Sequence, residues 1–352
     1  MCEFAADSKP ARSRSAATTL PAQTRQMHAL VTGGHGFVGS HLCASLVAQG
    51  HRVRVLARPS SDLSNIAALG VEVVLADITK PATLPSAVAG CDTVFHLAAA
   101  LKGLCEPDFI RVNVDGTQNL VNAAAAATPR PARFIHVSSL AAAGPSPDGN
   151  TPRSESDPPR PLTWYGHSKL AGETVVRSAT DLRWTIIRPP IVFGPRDRDV
   201  LGYFRIACRG YLPVVGASDR YYSLIYVEDL VEGLVHAALS PVSAGQVYYL
   251  AGSGIVSWAE LGQQIASALG VSGRVVRLPE AVAVSAGHVA DVYARARGRP
   301  AIFSSQKVIE MLAPAWVCSA DKARRELGWR AATPRQEALT KTAQWYRRHG
   351  WL

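Results

Sequence analysis

The stretch Val31-Thr32-Gly33-Gly34-His35-Gly36-Phe37-Val38-Gly39 constrains this chain more than any other. It joins an apolar, β-branched run to a helix-forming one, at the point where a first strand ends and a first helix begins. Gly33 can take the tight turn, Gly36 lets backbone approach a pyrophosphate with no Cβ in the way, and Gly39 lets the helix lie close on the sheet. The unpaired N–H groups of the helix N-terminus, from Phe37 and Val38 onward, then face the anion. Glycine turns also occur for packing reasons alone, so the weight of the motif lies in its place within a βαβ unit.

That unit recurs. Apolar β-branched runs predict strands over 29–32, 52–57, 71–75, 93–97, 133–138 and 184–188, and helices fit 37–49, 84–88, 112–127 and 168–179. Such alternation gives an α/β fold with a doubly wound parallel sheet covered on both faces. Residues 27–188 form the dinucleotide-binding domain. After Arg188 the chain loosens into Pro- and Gly-bearing loops, with helices over 258–269 and 280–295. A smaller C-terminal substrate-binding domain is therefore placed at 189–221 and 252–352, while 222–227 and 246–251 are expected to return to the main sheet. Residues 1–26 are rich in Ala, Ser, Thr, Pro and Arg without a hydrophobic period, and are expected to be a disordered tail.

The second strand ends Leu56-Ala57-Arg58-Pro59-Ser60-Ser61, where an NAD-preferring site usually offers an acid to the ribose 2′-hydroxyl. No acid is present, and Arg58 can pair with a 2′-phosphate instead, which favours NADP, with NAD as the second choice. Asp77, followed by Ile78 just after the third strand, is placed to accept from an adenine amino group or to cap the segment that follows.

Tyr165-Gly166-His167-Ser168-Lys169 puts a phenol and an ammonium on one helix face by its i,i+4 spacing. A phenol of ordinary pKa about 10 is a poor base at neutral pH, and a nearby positive charge lowers that barrier. Lys169 is the expected source of that charge. In the reductive direction Tyr165 can give its proton to the alkoxide that forms. Upstream, His136-Val137-Ser138-Ser139 closes the fifth strand at the end where ligands of open α/β sheets lie, so a serine hydroxyl there can donate to a substrate oxygen.

The chain has 352 residues, is 47% hydrophobic and carries a formal charge of +10. Excess positive charge invites a nucleic-acid reading. The basic residues concentrate instead in the tail and toward the C-terminus, with no stripe interleaved with aromatics, so nucleic acid is not expected as a partner. Six scattered cysteines show no metal-ligand spacing, so no metal is expected. No apolar run of about 18 residues and no signal-type leader appears, which reads as a soluble, cytoplasmic protein.

These separated motifs resemble those of the extended short-chain dehydrogenase/reductases, the superfamily that holds the NAD-dependent epimerase/dehydratases. The likeness spans Met27 to the C-terminus and includes the glycine turn, His96-Leu97-Ala98-Ala99, Asn113-Val114-Asp115-Gly116-Thr117, Ser138-Ser139, Tyr165 with Lys169, Arg188-Pro189-Pro190-Ile191-Val192-Phe193-Gly194-Pro195 and Val227-Glu228-Asp229-Leu230. The resemblance implies a Rossmann fold and a catalytic set of Ser139, Tyr165, Lys169 and Asn113. Ser139 is preferred over Ser138 because it stands five residues before Gly144. It also implies that Leu97, Ala98 and Ala99 line the nicotinamide ribose and that Pro189, Ile191 and Val192 line the nicotinamide. Members are often dimers, so a homodimer is allowed.

Sugar-nucleotide members usually carry an Asn three residues after the arginine and an Arg five residues before the later valine, where this chain has Ile191 and Tyr222. Arg220 can restore one phosphate contact from the same strand face. The pattern is closer to the 3β-hydroxysteroid dehydrogenase and dihydroflavonol reductase branches. That implies a small, apolar, ring-type substrate walled by residues such as Phe193 and Tyr222 around Ser139 and Tyr165. The Ala- and Val-rich segment 280–299 ends in arginines and reads as a lid helix or as a peripheral membrane contact.

Overall fold

The computed structural model describes residues 26–301 and 303–352. The expected tail lies almost wholly outside them. Seven parallel strands form the main sheet: β1 (His28–Thr32), β2 (Arg52–Ala57), β3 (Glu72–Leu75), β4 (Thr93–His96), β5 (Arg133–Val137), β6 (Trp184–Arg188) and the strand Gln246–Tyr249. Their order is Gln246–Tyr249, β6, β5, β4, β1, β2, β3. The chain runs outward from β1 in one direction through β2 and β3, then returns to β4 on the other side. The ends of β1 and β4 therefore flank the crevice where ligands of such sheets bind.

Period-two alternation along β1 sends Ala29 and Val31 into one apolar layer with Leu42 and Leu46 of the helix α1 (Phe37–Ala48), and Leu30 into the opposite layer with Leu84 and Leu120. Both faces of β1 are covered, which explains why it reads as a nearly continuous apolar run. A third apolar cluster, including Phe204, Leu212, Leu261, Trp316 and Tyr346, forms the core of the C-terminal part.

Three expectations need correction. Residues 222–227 do not join the main sheet. Tyr221–Tyr222 pairs with Val256–Ser257 and Ala315–Trp316, and Leu224–Tyr226 pairs with Ile191–Phe193, because these short strands build the C-terminal part that overhangs the crevice. Gln246–Tyr249 does return, beside β6. The helix expected over 168–179 is Trp164–Arg177, since the Thr163 hydroxyl accepts from Gly166 N and starts it early. The helix expected from 112 begins at Glu106, where Cys105 and Asp108 form a reciprocal cap, and it passes through a π-helical turn, Arg111–Asp115, before Gly116–Ala126.

Candidate active site

The crevice opens into a cavity of about 1060 Å³ that runs from the glycine turn to the C-terminal part. Gly33, with φ +69°, sits so close to the start of the loop after β4 that an added Cβ would lie 2.9 Å from Ala98 N. At Gly39 a Cβ would lie 2.2 Å from Gly33 O and 2.7 Å from Gly34 Cα, so α1 packs directly on the turn. No side chain caps α1; Gly36, extended, precedes its free N–H groups at the cavity wall. A cradle of uncapped donors that side chains would fill fits the phosphates of a dinucleotide.

The rest of the expected binding set also lines this cavity. Phe37 and Val38 flank the turn, and Arg58, Asp77 and Ile78 stand at one end. Arg58 is exposed on the rim. Burial works against ionisation of Asp77, but donors from the Thr79 backbone and hydroxyl, then the Arg58 charge, hold its carboxyl below the ordinary range. Leu97, Ala98 and Ala99 form one wall, and Pro189, Ile191 and Val192 the facing one.

A network absent from the sequence reading fixes the first wall. Thr32 Oγ1 is 2.8 Å from His96 Nδ1 and accepts from Ala98 N at 3.1 Å, and His96 Nε2 lies 3.0 Å from Thr117 Oγ1. The histidine is buried and its pKa is pushed down to about 3 by desolvation and then by the Lys169 charge, so it bridges as a neutral ring. Its place in the His96-Leu97-Ala98-Ala99 motif was the available signal.

Ser139, Tyr165 and Lys169 meet at the middle of the cavity. Ser139 caps the short helix Leu140–Ala143, accepting from Ala141 N at 3.1 Å, which aims its hydroxyl at the Tyr165 phenol. Lys169, one helical turn on from Tyr165, has its own partner here. Its Nζ donates to Val137 O at 2.8 Å, and burial pushes its pKa down to about 8, against the pull of Glu173. The phenol is raised above its ordinary value because desolvation outweighs the Ser139 contact. The phenol therefore stays protonated at neutral pH, and Lys169 holds the end of β5 against the tyrosine helix.

Below them, Glu173 is fully buried and accepts from Arg188 Nε at 2.8 Å and Nη2 at 2.6 Å, and from Ser138 Oγ at 2.6 Å. This pair ties the tyrosine helix to β5 and β6. Both serines line the cavity, with the Ser138 hydroxyl bound to Glu173 and the Ser139 hydroxyl at the cap of Leu140–Ala143.

Two expected site residues lie elsewhere. Asn113 does not line the cavity; buried in the π-helical turn, it accepts from Ala100 N at 2.7 Å and donates to Ser168 Oγ at 2.9 Å, so it positions the loop after β4 against the tyrosine helix. Phe193 is also buried away from the cavity. Its strand pairs in register with Leu224–Tyr226, and the ring packs on Tyr226 with centroids 5.9 Å apart, inside the C-terminal core. Tyr222 does reach the cavity and stacks edge-on with Trp258. Around it stand Leu101, Leu104, Phe109, Trp164, Tyr203, Met311 and Trp316, of which sequence reasoning missed Phe109, Trp164, Met311 and Trp316. Arg220, the residue able to restore a phosphate contact, is held by Glu280 at 2.5 Å and by Val215 O.

A doubly wound sheet with an uncapped glycine turn at its crevice and a Ser-Tyr-Lys cluster beside it defines a dinucleotide-dependent oxidoreductase. The chain belongs to the NAD dependent epimerase/dehydratase family, whose model matches residues 29–251, and is an enzyme of the extended short-chain dehydrogenase/reductase type. It is 34% identical to a ceramide reductase of Caulobacter vibrioides, over 92% of this chain and 95% of that protein. It is 30% identical to a 3 beta-hydroxysteroid dehydrogenase/Delta 5-->4-isomerase of Mycobacterium tuberculosis, over 90% of each. The fold matches that of a UDP-glucose 4-epimerase from Thermotoga maritima with a TM-score of 0.75, at 21% identity over 92% of this chain and 99% of that one.

Proposed function

We propose that this enzyme interconverts a ketone and a secondary alcohol on an apolar, ring-bearing molecule, with NADP preferred over NAD. The observation that carries the reading is the Tyr165 hydroxyl beside Ser139 at the floor of a cavity whose far half is walled by Trp164, Tyr203, Tyr222, Trp258 and Trp316. The names of the ceramide reductase and the hydroxysteroid dehydrogenase support an apolar substrate.

A nicotinamide bound between the Leu97–Ala99 wall and Pro189, Ile191 and Val192 would supply or take up the hydride. Ser139 would donate a hydrogen bond to the substrate oxygen, and Tyr165 would hand it a proton during reduction. A phenol kept protonated by burial suits that direction. The Lys169 ammonium stabilises phenolate once the proton has left, and with a pKa near neutrality it can pass a proton on. Arg58 would pair with a 2′-phosphate and Asp77 would accept from the adenine amino group.

The nucleotide-sugar reading is weaker because three of the cavity's cations are already engaged. Arg220 is paired with Glu280, Lys307 with Glu310, and Lys102 with Asp199. A diphosphate would have to displace these carboxylates.

The test is turnover of NADPH, followed at its absorbance maximum, over a panel of steroid, flavonoid and long-chain ketones. Turnover that is lost in Tyr165→Phe, with cofactor binding retained, supports the proposal. Tightly held NAD(H) that cycles on nucleotide sugars without net turnover would replace it with the epimerase reading.

A further inference from the structure

The helix Glu280–Arg297 wears its apolar side chains on the wrong face for a soluble lid. Its buried positions are small: Ala283, Gly287 and Ala294. Gly287 in particular admits the following helix, Ser305–Leu312, since a Cβ there would lie 3.0 Å from Val308 Cγ2. The larger residues Val282, Val289, Val292 and Tyr293 face solvent, with Val289 69% and Val292 67% exposed. Helices of globular proteins do the reverse, burying their large apolar residues and exposing small or polar ones.

The charge on this helix is equally one-sided. Glu280 is paired with Arg220, and Asp291 turns inward to accept from Ser305 N. No other acid lies between 280 and 299, whereas Arg295, Arg297 and Arg299 are exposed at its C-terminal end. The Arg297 guanidinium sits over the Tyr293 ring, 4.5 Å from its centroid. Apolar residues flanked by arginines, with no unpaired acid, match the boundary of an anionic bilayer, where valines and tyrosine enter the acyl edge and arginines meet headgroup phosphates. Among the described residues no helix is long and apolar enough to cross a membrane, so the segment can only lie in the interface.

The inward side of the same helix belongs to the cavity: Asp291, Ala294 and Arg295 line it. We infer that Glu280–Arg297 docks on an anionic phospholipid surface and sets the cavity mouth against it, so that the apolar substrate enters from the bilayer. The substrate route rests on the ketone-reductase reading, while the docking rests on the helix alone.

The experiment is co-sedimentation of the full-length protein with phosphatidylcholine vesicles with and without phosphatidylglycerol. Wild type is expected to partition onto the anionic vesicles, and added salt should weaken this. Val289→Glu with Val292→Glu should lower the partition coefficient by at least about tenfold. Arg297→Gln and Arg299→Gln should lower it about fivefold each. All four positions are exposed, so the thermal midpoint should stay unchanged. Wild type left in the supernatant, or partition untouched by the double glutamate variant, overturns the inference. So does a wild type that runs as a dimer and becomes monomeric in that variant, since the face would then serve a second copy. If vesicle binding follows the expected pattern while no ketone is reduced, the docking stands and the proposed reaction falls.

Discussion

Replacing Gly39 by alanine should separate stability from cofactor binding in a way the geometry specifies. The new Cβ would lie 2.2 Å from Gly33 O, where ordinary contact begins at 3.4 Å, and it would also press on Gly34 Cα at 2.7 Å and Gly33 C at 2.8 Å. All three are backbone atoms, so no side chain can swing aside, and α1 must move away from the turn by about 1 Å. Overpacking of this kind costs about 1–3 kcal/mol of stability. The larger effect falls on binding. The same shift carries the uncapped N–H groups of α1 off the anion they would meet, and losing two hydrogen bonds to a charged group, at about 1.5 kcal/mol each, weakens affinity by roughly 150-fold. Gly202→Ala is the control: its Cβ meets nothing within 4 Å inside the helix Leu201–Ala207, so that variant should gain about 0.5–1 kcal/mol with binding unchanged. Urea unfolding and titration of NADPH by its fluorescence read the two quantities. A Gly39→Ala protein that binds NADPH as tightly as wild type would refute the reasoning.

Two further outcomes concern groups beneath the cavity. Glu173→Ala leaves the buried Arg188 guanidinium without its carboxylate and should cost about 3–5 kcal/mol in urea unfolding, whereas Glu173→Leu with Arg188→Met should recover most of that loss; equal losses in both proteins would contradict it. Lys169 binds its proton less tightly folded, at about 8, than unfolded, at about 10.5, so between pH 8 and 10 the unfolded state holds more protons and this group's contribution to stability rises with pH. The desolvation cost present below pH 8 is on the order of 3 kcal/mol, and Lys169→Met should flatten that rise; an unchanged pH profile would show that the ammonium is not the buried group responsible.

Features set by local chemistry were legible in the sequence. The glycine turn, Arg58 and Asp77 depend on spacing within single βα units, the walls at Leu97–Ala99 and Pro189–Val192 were implied by the family resemblance, and all of them reach the cavity. The apolar half does not work that way. Trp164, Trp258, Met311 and Trp316 come from separate elements of the chain, and only tertiary packing brings them together. Phe193 failed as a wall because a three-residue strand gives alternation no length in which to declare its faces. Its pairing with Leu224–Tyr226 decides the matter. Asn113 was singled out by resemblance, but the π-helical turn that buries it leaves no periodic mark. The early start of the tyrosine helix could have been read from Thr163, three residues before the N–H it caps.

The proposed chemistry requires the Tyr165 phenol to face the reacting carbon of a dinucleotide held by the glycine turn. A crystal structure of the protein soaked with NADP tests it directly. Such a structure is expected to show the pyrophosphate on the N-terminus of α1, the 2′-phosphate against Arg58, and the nicotinamide C4 within roughly 4 Å of Tyr165 Oη. A cofactor lying elsewhere, or a nicotinamide turned away from that hydroxyl, would contradict it.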